Sequence, residues 1–423
     1  MAQLSDDCFA FSGPLLPLDE MERMIRARVT PVAETEDVSL AQARGRVIAT
    51  DVIAPLDLPP FDNSAVDGYA VRHRDLSAEG ETRLAVIDRV AAGHAPSGAL
   101  VDHAAVRIFT GAPMPAGADT VFMQEDCRTE NNAVVLPSGL ERGANRRLAG
   151  EDVRAGSVVL PAGRRMQAQH VALAAAIGLT QVPVRRRLRV ALFSTGDEIV
   201  EPGSFRPSAA LFDANRYLLG ALLPPLGAEV TDLGILPDEP ARLREALTAA
   251  SEQHDLVLTS GGVSTGEADH VRSTVEAIGS LVFWRVAIKP GRPVAMGVIR
   301  SGAQGGTAFV GLPGNPVAVF VTFARVVRPL LLQLAGAEPE PLVPLPVRAT
   351  FSYRKKKARR EYVRVSLRPG PDGVIEASKH PQDGAGIITS LTETHGLAEL
   401  PEDMTSVAPG TMVGFLSYAA LVG

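Results

Sequence analysis

Cysteine is almost absent: Cys8 and Cys127 are the only two in 423 residues. Two thiols support neither a disulfide framework nor a thiolate metal cage. Aromatic residues are sparse too, with one tryptophan and five tyrosines, which leaves little surface for stacking nucleic-acid bases. Positive charge is outweighed, since 42 Lys and Arg face 48 Asp and Glu for a formal net charge of −6. A dedicated nucleic-acid binder usually carries the opposite, basic footprint. The eight histidines show no metal-ligand spacing, and no G-x-S-x-G, H-E-x-x-H or Cys/His arrangement occurs. Nucleophilic and zinc catalysis therefore lack support. Apolar runs such as "VALAAAIGL" (171–179) are shorter than the ~20 residues a bilayer requires, so no membrane span is expected. The opening "MAQLSDDCFA" is acidic and lacks a basic region ahead of an apolar core, so no secretory signal is expected. A soluble, cytoplasmic protein is the expectation.

Glycine and proline are plentiful, at 39 and 32 residues, above the usual ~12% combined share. With a chain of this length at roughly 150 residues per domain, several turn-rich modules are expected. "PLDEMERMIRARV" (17–29) spaces Leu18, Met21, Met24, Ile25 and Val29 as one helix face, with acids first and arginines last, which suits the helix dipole. Residues 45–160 then read as short β segments broken by Gly and Pro, a small barrel or sandwich. After about residue 185 the pattern changes to strands alternating with helices, the mark of βαβ units on a largely parallel sheet. That module closes with "AFVGLPGNPVAVFVTFARVVRPLLLQL", where Asn315 suits an N-cap and Pro316 the first helical position. A proline-rich linker at 337–347 leads into a last β region, in which "RKKKARR" (354–360) forms the basic tip of a hairpin. A charged tip is most simply a solvated face.

Ligands of open α/β sheets bind beyond the carboxyl ends of the strands. The runs that follow the strands here are "STGDE" (194–198), "LPDEP" (236–240), "TSGGVSTGEADH" (259–270), "AIKPGRP" (287–293) and "LPGNP" (312–316). All are polar or rich in Gly and Pro. The 259–270 run can cradle an anion with backbone amides, yet matches neither the Walker A nor the G-x-G-x-x-G fingerprint. Lys289 and Arg292 supply two cations for an oxyanion or phosphate. Glu198, Asp238 and Asp269 are hard oxygen ligands of the kind that hold Mg²⁺ together with water and substrate phosphates; each alone also fits a turn or cap, Asp269 as a helix N-cap. A further polar cluster, "FDNSAVDGYAV" (61–71), contains Asp62, Asn63, Ser64 and Asp67. Its Asp67-Gly68 pair is a hairpin-turn signal.

Taken in order, "PPFDNSAVDGYAV", "RIFTGAPMP", "GED", "ALFSTGDE", "TSGGVSTGEADH", "AIKPGRP" and "GLPGNPVA" resemble the hallmarks of the molybdopterin molybdenumtransferase family, which corresponds to the E domain of gephyrin. The similarity covers nearly the whole chain, including "DGAGIITSLTETHGLAELPE" near its end. The resemblance implies a multi-domain α/β plus β fold. Its parts are a helical and extended domain split between 1–55 and 151–182, an inserted β module at 56–150, a molybdopterin-binding α/β domain at 183–337 with a mostly parallel sheet, and a C-terminal β barrel at 338–423. It implies insertion of molybdenum from molybdate into adenylylated molybdopterin, giving the molybdenum cofactor and AMP, with Mg²⁺ or a similar divalent cation. An elongated homodimer is implied, in which the inserted module of one subunit completes the cleft of the other. The adenylyltransferase that supplies substrate and proteins that receive the cofactor are possible partners.

By motif, the resemblance carries catalytic roles to Asp67, Thr110, Arg147, Asp152, Glu198 and Lys289. It carries substrate binding to Ser260, Gly261, Gly262, Ser264, Gly266, Arg285, Arg292, Pro313, Gly314 and Pro316, and metal binding to Glu198, Asp238 and Asp269. Arg285 stands where family members often have lysine, which keeps the charge and changes the geometry. Two other readings are a molybdopterin adenylyltransferase, typically a single α/β domain, and a non-catalytic scaffold of the gephyrin kind.

Overall fold

The computed structural model describes residues 4–5, 8–10, 15–32, 34–261, 270–301 and 305–422. Its centre is a six-stranded sheet in the order Ala228–Ile235, Leu188–Ser194, Leu256–Ser260, Gly305–Leu312, Pro293–Ser301, Gly279–Arg285. The first four strands are parallel; Pro293–Ser301 runs antiparallel to both of its neighbours. Strands such as Leu256–Ser260 are buried at every residue, as expected where helices cover both faces. Ala191, Phe193, Val257 and Phe309 pack against Leu243, Leu247, Val271 and Val275 of the helices Pro240–Gln253 and His270–Ile278. The alternate residues Val190, Leu192, Leu256 and Leu258 pack on the other face with Leu219 and the helix beginning at Pro316. From Leu188–Ser194 the chain steps to one side, then crosses to Leu256–Ser260 on the other side. This reversal opens a crevice at the carboxyl ends of those two strands.

The helix Pro316–Leu334 is 19 residues long, with a mean hydropathy of 1.7 over its most apolar window. By length and composition it could cross a bilayer, contrary to the expectation that every apolar run is too short. The fold buries 89% of that window, so it forms the core of the α/β unit.

The remaining modules hang on this unit. Thr35–Ser39 pairs with Gln181–Arg185 and Val52–Ile53 with Val158–Leu160, so two distant stretches share one small domain. Much of the β pattern expected around 45–60 is reduced here to the two-residue strand Val52–Ile53 and single bridges at Val47, Ile48 and Leu58. Between the two stretches lies a six-stranded sheet, ordered Thr120–Met123, Gly68–Val71, Ala104–Ile108, Thr82–Val90, Ala133–Leu136, Arg128–Glu130. Alternating residues fill cores on both of its faces, with Ala70, Val106 and Val121 on one and Tyr69, Ala105 and Phe122 on the other. In the C-terminal region, Leu345–Ala349, Arg360–Pro369, Ile375–Lys379, Gly396–Leu400 and Met412–Ser417 close into a five-stranded barrel. The two-residue strand Ile288–Lys289 runs along Arg360–Glu361 and joins barrel to sheet.

Candidate active site

Four strand ends are bonded in pairs along one ledge. Gly261 N donates to Leu312 O at 3.1 Å, and Leu236 N donates to Ser194 O at 2.8 Å. The second bond draws the run containing half-buried Asp238 beside the run containing exposed Glu198. Gly261 has φ +86°, and a Cβ there would lie 3.0 Å from Thr195 O. Gly196, at φ +140°, leaves room for the Glu198 carboxylate, which an added Cβ would meet at 2.7 Å. Only glycine suits these two positions without strain.

Asn215, at the start of the helix Asn215–Leu222, ties the ledge together. Its Nδ2 donates to Ser260 Oγ at 2.9 Å and to Gly314 O at 2.7 Å, while Ser260 Oγ donates to Pro313 O at 3.3 Å. Among the described residues, Asn215 Oδ1, Ser194 Oγ, Thr195 Oγ1 and Thr259 Oγ1 are buried without a partner. Each such atom costs ~1–3 kcal/mol. Four of them at one sheet edge mark a place where a ligand or ordered water completes the bonding. Gly262, Ser264, Gly266 and Asp269 fall outside the described residues, and with them the N-cap reading of Asp269.

The strand Gly279–Arg285 runs parallel to Gly305–Leu312, two ladders away. Exposed Arg285, Lys289 and Arg292 therefore arrive at the same sheet edge as Pro313 and Gly314. The turn is seated on the helix at Pro316, where a Cβ on Gly291 would meet Thr322 at 2.5 Å. Lys289 Nζ donates to Tyr353 Oη at 3.2 Å and lies 3.4 Å from the fully buried Glu361 carboxylate. Glu361 also accepts from Tyr353 Oη at 2.8 Å and Arg359 Nε at 2.7 Å. Burial would raise the Glu361 pKa, but the Tyr353 and Arg359 hydrogen bonds and the Lys289 and Arg359 charges outweigh it and hold it low. The basic run is solvated at Arg354, Lys356 and Lys357, as expected, but it is not a hairpin tip, because Tyr353–Arg354 pairs with Ser406–Val407 and Arg360–Pro369 with other barrel strands. Lys355 is buried and donates to Arg359 O at 2.8 Å, because the barrel folds the run inward against Glu361.

Asn315 occupies the N-cap position but makes no side-chain cap bond. The barrel does that work instead, with Ala385 O accepting from Val317 N at 3.0 Å. Buried Arg364 donates to Ser390 Oγ, Gln382 O and Gly384 O, and so fixes the loop that carries Ala385.

A second group forms in the inserted module. Asp67 Oδ1 accepts from Thr110 N and Thr110 Oγ1, both at 2.8 Å, and these bonds, the backbone one first, hold its pKa below the ordinary range. Asp62 accepts from Ala149 N at 2.8 Å and from Arg146, which anchors the segment of Arg147 and Asp152. Arg147 pairs with Glu151, and Asp152 is exposed. Asp67-Gly68 is no hairpin turn: Gly68 begins a central strand, where a Cβ would lie 1.7 Å from Phe122 O. Glycine is required there by close approach of two backbones. No hydrogen bond or ion pair joins the two groups among the described residues.

Among those residues no cluster of three or more His, Cys, Asp or Glu could hold a metal ion. Glu198 and Asp238 remain as two carboxylates on adjoining loops, which suits Mg²⁺ completed by water and phosphate oxygens. Sequence reasoning missed Asn215, Tyr353 and Glu361. Asn215 lies in "FDANRYL" at a helix start rather than directly after a main sheet strand, and Glu361 reads as one acid in a basic run.

Fold and site together define an α/β ligand-binding enzyme unit, with an anion-seeking ledge and barrel loops packed against it. Residues 16–178 match the MoeA N-terminal region (domain I and II), 191–333 a probable molybdopterin binding domain, and 346–418 the MoeA C-terminal region (domain IV). A molybdopterin molybdenumtransferase of Haemophilus influenzae is 36% identical over 97% of this chain and 100% of its own length. One from Nostoc sp. is 39% identical over 89% of this chain and 87% of its own. A crystal structure of the molybdopterin biosynthesis MoeA protein from Pyrococcus horikoshii superposes with a TM-score of 0.78 at 29% identity, covering 96% of this chain and all of that one. The chain belongs to the MoeA family of molybdopterin molybdenumtransferases.

Proposed function

We propose that this protein inserts molybdenum from molybdate into adenylylated molybdopterin, releasing the molybdenum cofactor and AMP. The observation that carries the reading is the ledge at Ser194, Ser260 and Pro313, where orphaned polar atoms, glycine-lined backbone and the cations Lys289 and Arg292 share one sheet edge. Gly261 N is already bonded to Leu312 O, so the phosphate falls to the Gly-rich run that follows it; the resemblance assigns Gly262, Ser264 and Gly266 to that role, beside Ser260, Pro313, Gly314 and Pro316. Lys289, Arg292 and Arg285 attract molybdate, a tetrahedral dianion that demands several donors.

Glu198, Asp238 and Asp269 would hold Mg²⁺, which when bound neutralises phosphate charge and polarises the phosphoanhydride. No protein nucleophile is required when a molybdate or water oxygen attacks phosphorus. Asp67 and Thr110, with Arg147 and Asp152, complete the cleft of a second subunit, which makes a homodimer the working form. A cytoplasmic setting and hand-over from an adenylyltransferase to cofactor-receiving proteins belong to the same reading.

The test is molybdate-dependent AMP release from adenylylated molybdopterin with Mg²⁺. Release by the wild type supports the reading. Consumption of ATP without such release would favour an adenylyltransferase, and neither activity would favour a scaffold.

A further inference from the structure

Away from the strand ends, the helices Leu18–Arg28 and Pro316–Leu334 enclose a cavity of about 330 Å³, with residues 337–342 as its third wall. Its lining is mixed. Ile25, Leu332 and Leu342 are apolar, whereas Glu22, Arg325 and Arg328 carry charge. Arg325 and Arg328 are only 7% and 5% exposed, and a third buried arginine, Arg165, stands behind them. Glu340 spends both carboxylate oxygens on Arg165, at 2.7 Å each, and one also on Arg328 at 2.9 Å. Arg325 reaches a single acid among the described residues, Glu22, at a long 3.3 Å. Nε of Arg325 and Nε of Arg328 have no partner there.

Among the described residues, Arg325 and Arg328 thus share Glu22 and Glu340, and Glu340 is also bonded to Arg165. A guanidinium does not give up its charge inside a protein, and an underpaired buried cation is costly. Burial and the neighbouring Arg165 and Arg325 charges even depress the Arg328 pKa, with Glu340 and Glu22 opposing them. The long helix is also interrupted at this spot by a π-helical turn, Phe323–Val327, with Arg325 at its centre. Such turns are rare and recur at functional sites.

We propose that the cavity binds a small carboxylate with an apolar body, its charge taken by Arg325 and its body by Ile25, Leu332 and Leu342. The volume is at the lower end of small-molecule sites, ~300–1,000 Å³, and the planar guanidinium matches a carboxylate fork.

The probe is 4-(trifluoromethyl)benzoate, followed by ¹⁹F NMR with the full-length protein, with the neutral 4-(trifluoromethyl)benzamide as control. The carboxylate shows saturable binding and the amide none; Arg325→Gln weakens it about tenfold or more, as loss of a charge-assisted pair should. Glu22→Gln removes the acid that competes for Arg325, so it tightens binding severalfold. This second variant decides the matter if Arg325→Gln fails to fold. Equal binding of the amide, an affinity unchanged in Arg325→Gln or not tightened in Glu22→Gln, or no binding at millimolar probe overturns the proposal. So does a signal displaced by molybdate and insensitive to Arg325→Gln, which would put the probe at the strand ends. Loss of self-association in Arg325→Gln without probe binding would assign the cavity to an acidic side chain of a second copy, and overturns it likewise.

Discussion

Asn215 Nδ2 bridges Ser260 Oγ at 2.9 Å and Gly314 O at 2.7 Å, so one amide holds two strand-end loops together. Replacing it by alanine removes both bonds and leaves the buried Ser260 Oγ short of a donor, while exposed Gly314 O can turn to water. Asn215→Ala should lose ~1–3 kcal/mol, with a larger fractional loss of AMP release, because the ledge loosens before the fold does. Urea unfolding and single-turnover AMP release, measured on the same preparation, check both parts.

Asp67 shares one oxygen between Thr110 N and Thr110 Oγ1. Asp67→Asn keeps an acceptor and removes the charge. Its melting temperature should stay within a few degrees of wild type while AMP release falls about tenfold or more, equivalent to about 1.4 kcal/mol of transition-state stabilisation. Equal AMP release by the two proteins would return Asp67 to a purely structural role.

Two glycines give opposite expectations. Gly68 meets Phe122 O at 1.7 Å once a Cβ is added, and a carbonyl inside a sheet cannot step aside; Gly314 has nothing within 4 Å. Gly68→Ala should therefore cost more than ~3 kcal/mol, and Gly314→Ala should stay within ~0.5 kcal/mol. Chemical denaturation of the two variants separates a packing requirement from an open loop.

Glu361 is buried beneath Tyr353, Arg359 and Lys289, and its folded-state pKa is lowered from the ordinary 4.5. A carboxyl with a depressed folded pKa stabilises the protein above its unfolded pKa, and that contribution disappears as pH falls through the lower folded value. Glu361→Gln should cost roughly 2–4 kcal/mol at pH 7, less than a fully buried pair because Arg359 and Lys289 keep contact with solvent. The gap in melting temperature between wild type and variant should narrow as pH drops below about 4. A gap that is constant with pH would mean the carboxylate charge is not what holds Tyr353, Arg359 and Lys289 together.

Burial, with Asp126 beside it, pushes the Cys127 thiol up to about 11. Only the thiolate reacts readily, so iodoacetamide should label Cys127 slowly at pH 8 in the native protein and quickly in urea. Peptide mapping of the alkylated chain reads both rates.

What could be read without coordinates was whatever depends on local pattern. The period of Leu18, Met21 and Ile25 marked a helix, and that helix buries all three. Near-continuous apolar strands followed by Gly, Pro and acidic residues marked a largely parallel sheet and the polar edge proposed as its site, because a strand buried on both faces has no other place to expose polar groups. The motifs from "FDNSAVDGYAV" to "GLPGNPVA" carried the family. Contacts between distant segments were not legible. That Glu361 neutralises Lys289 across a domain boundary, that Ala385 O caps the helix Asn315 was expected to cap, and that Gly68 yields to Phe122 O rather than turning a hairpin all depend on pairings 54 to 72 residues apart. The apolar helix Pro316–Leu334 shows the same limit: composition alone admits a membrane span, and only the sheet packed along it makes it a core. Sequence determined which residues seek water, charge or a turn; tertiary structure decided which of them meet, since hydrogen bonds and ion pairs form at about 3 Å and no pattern along the chain measures that distance.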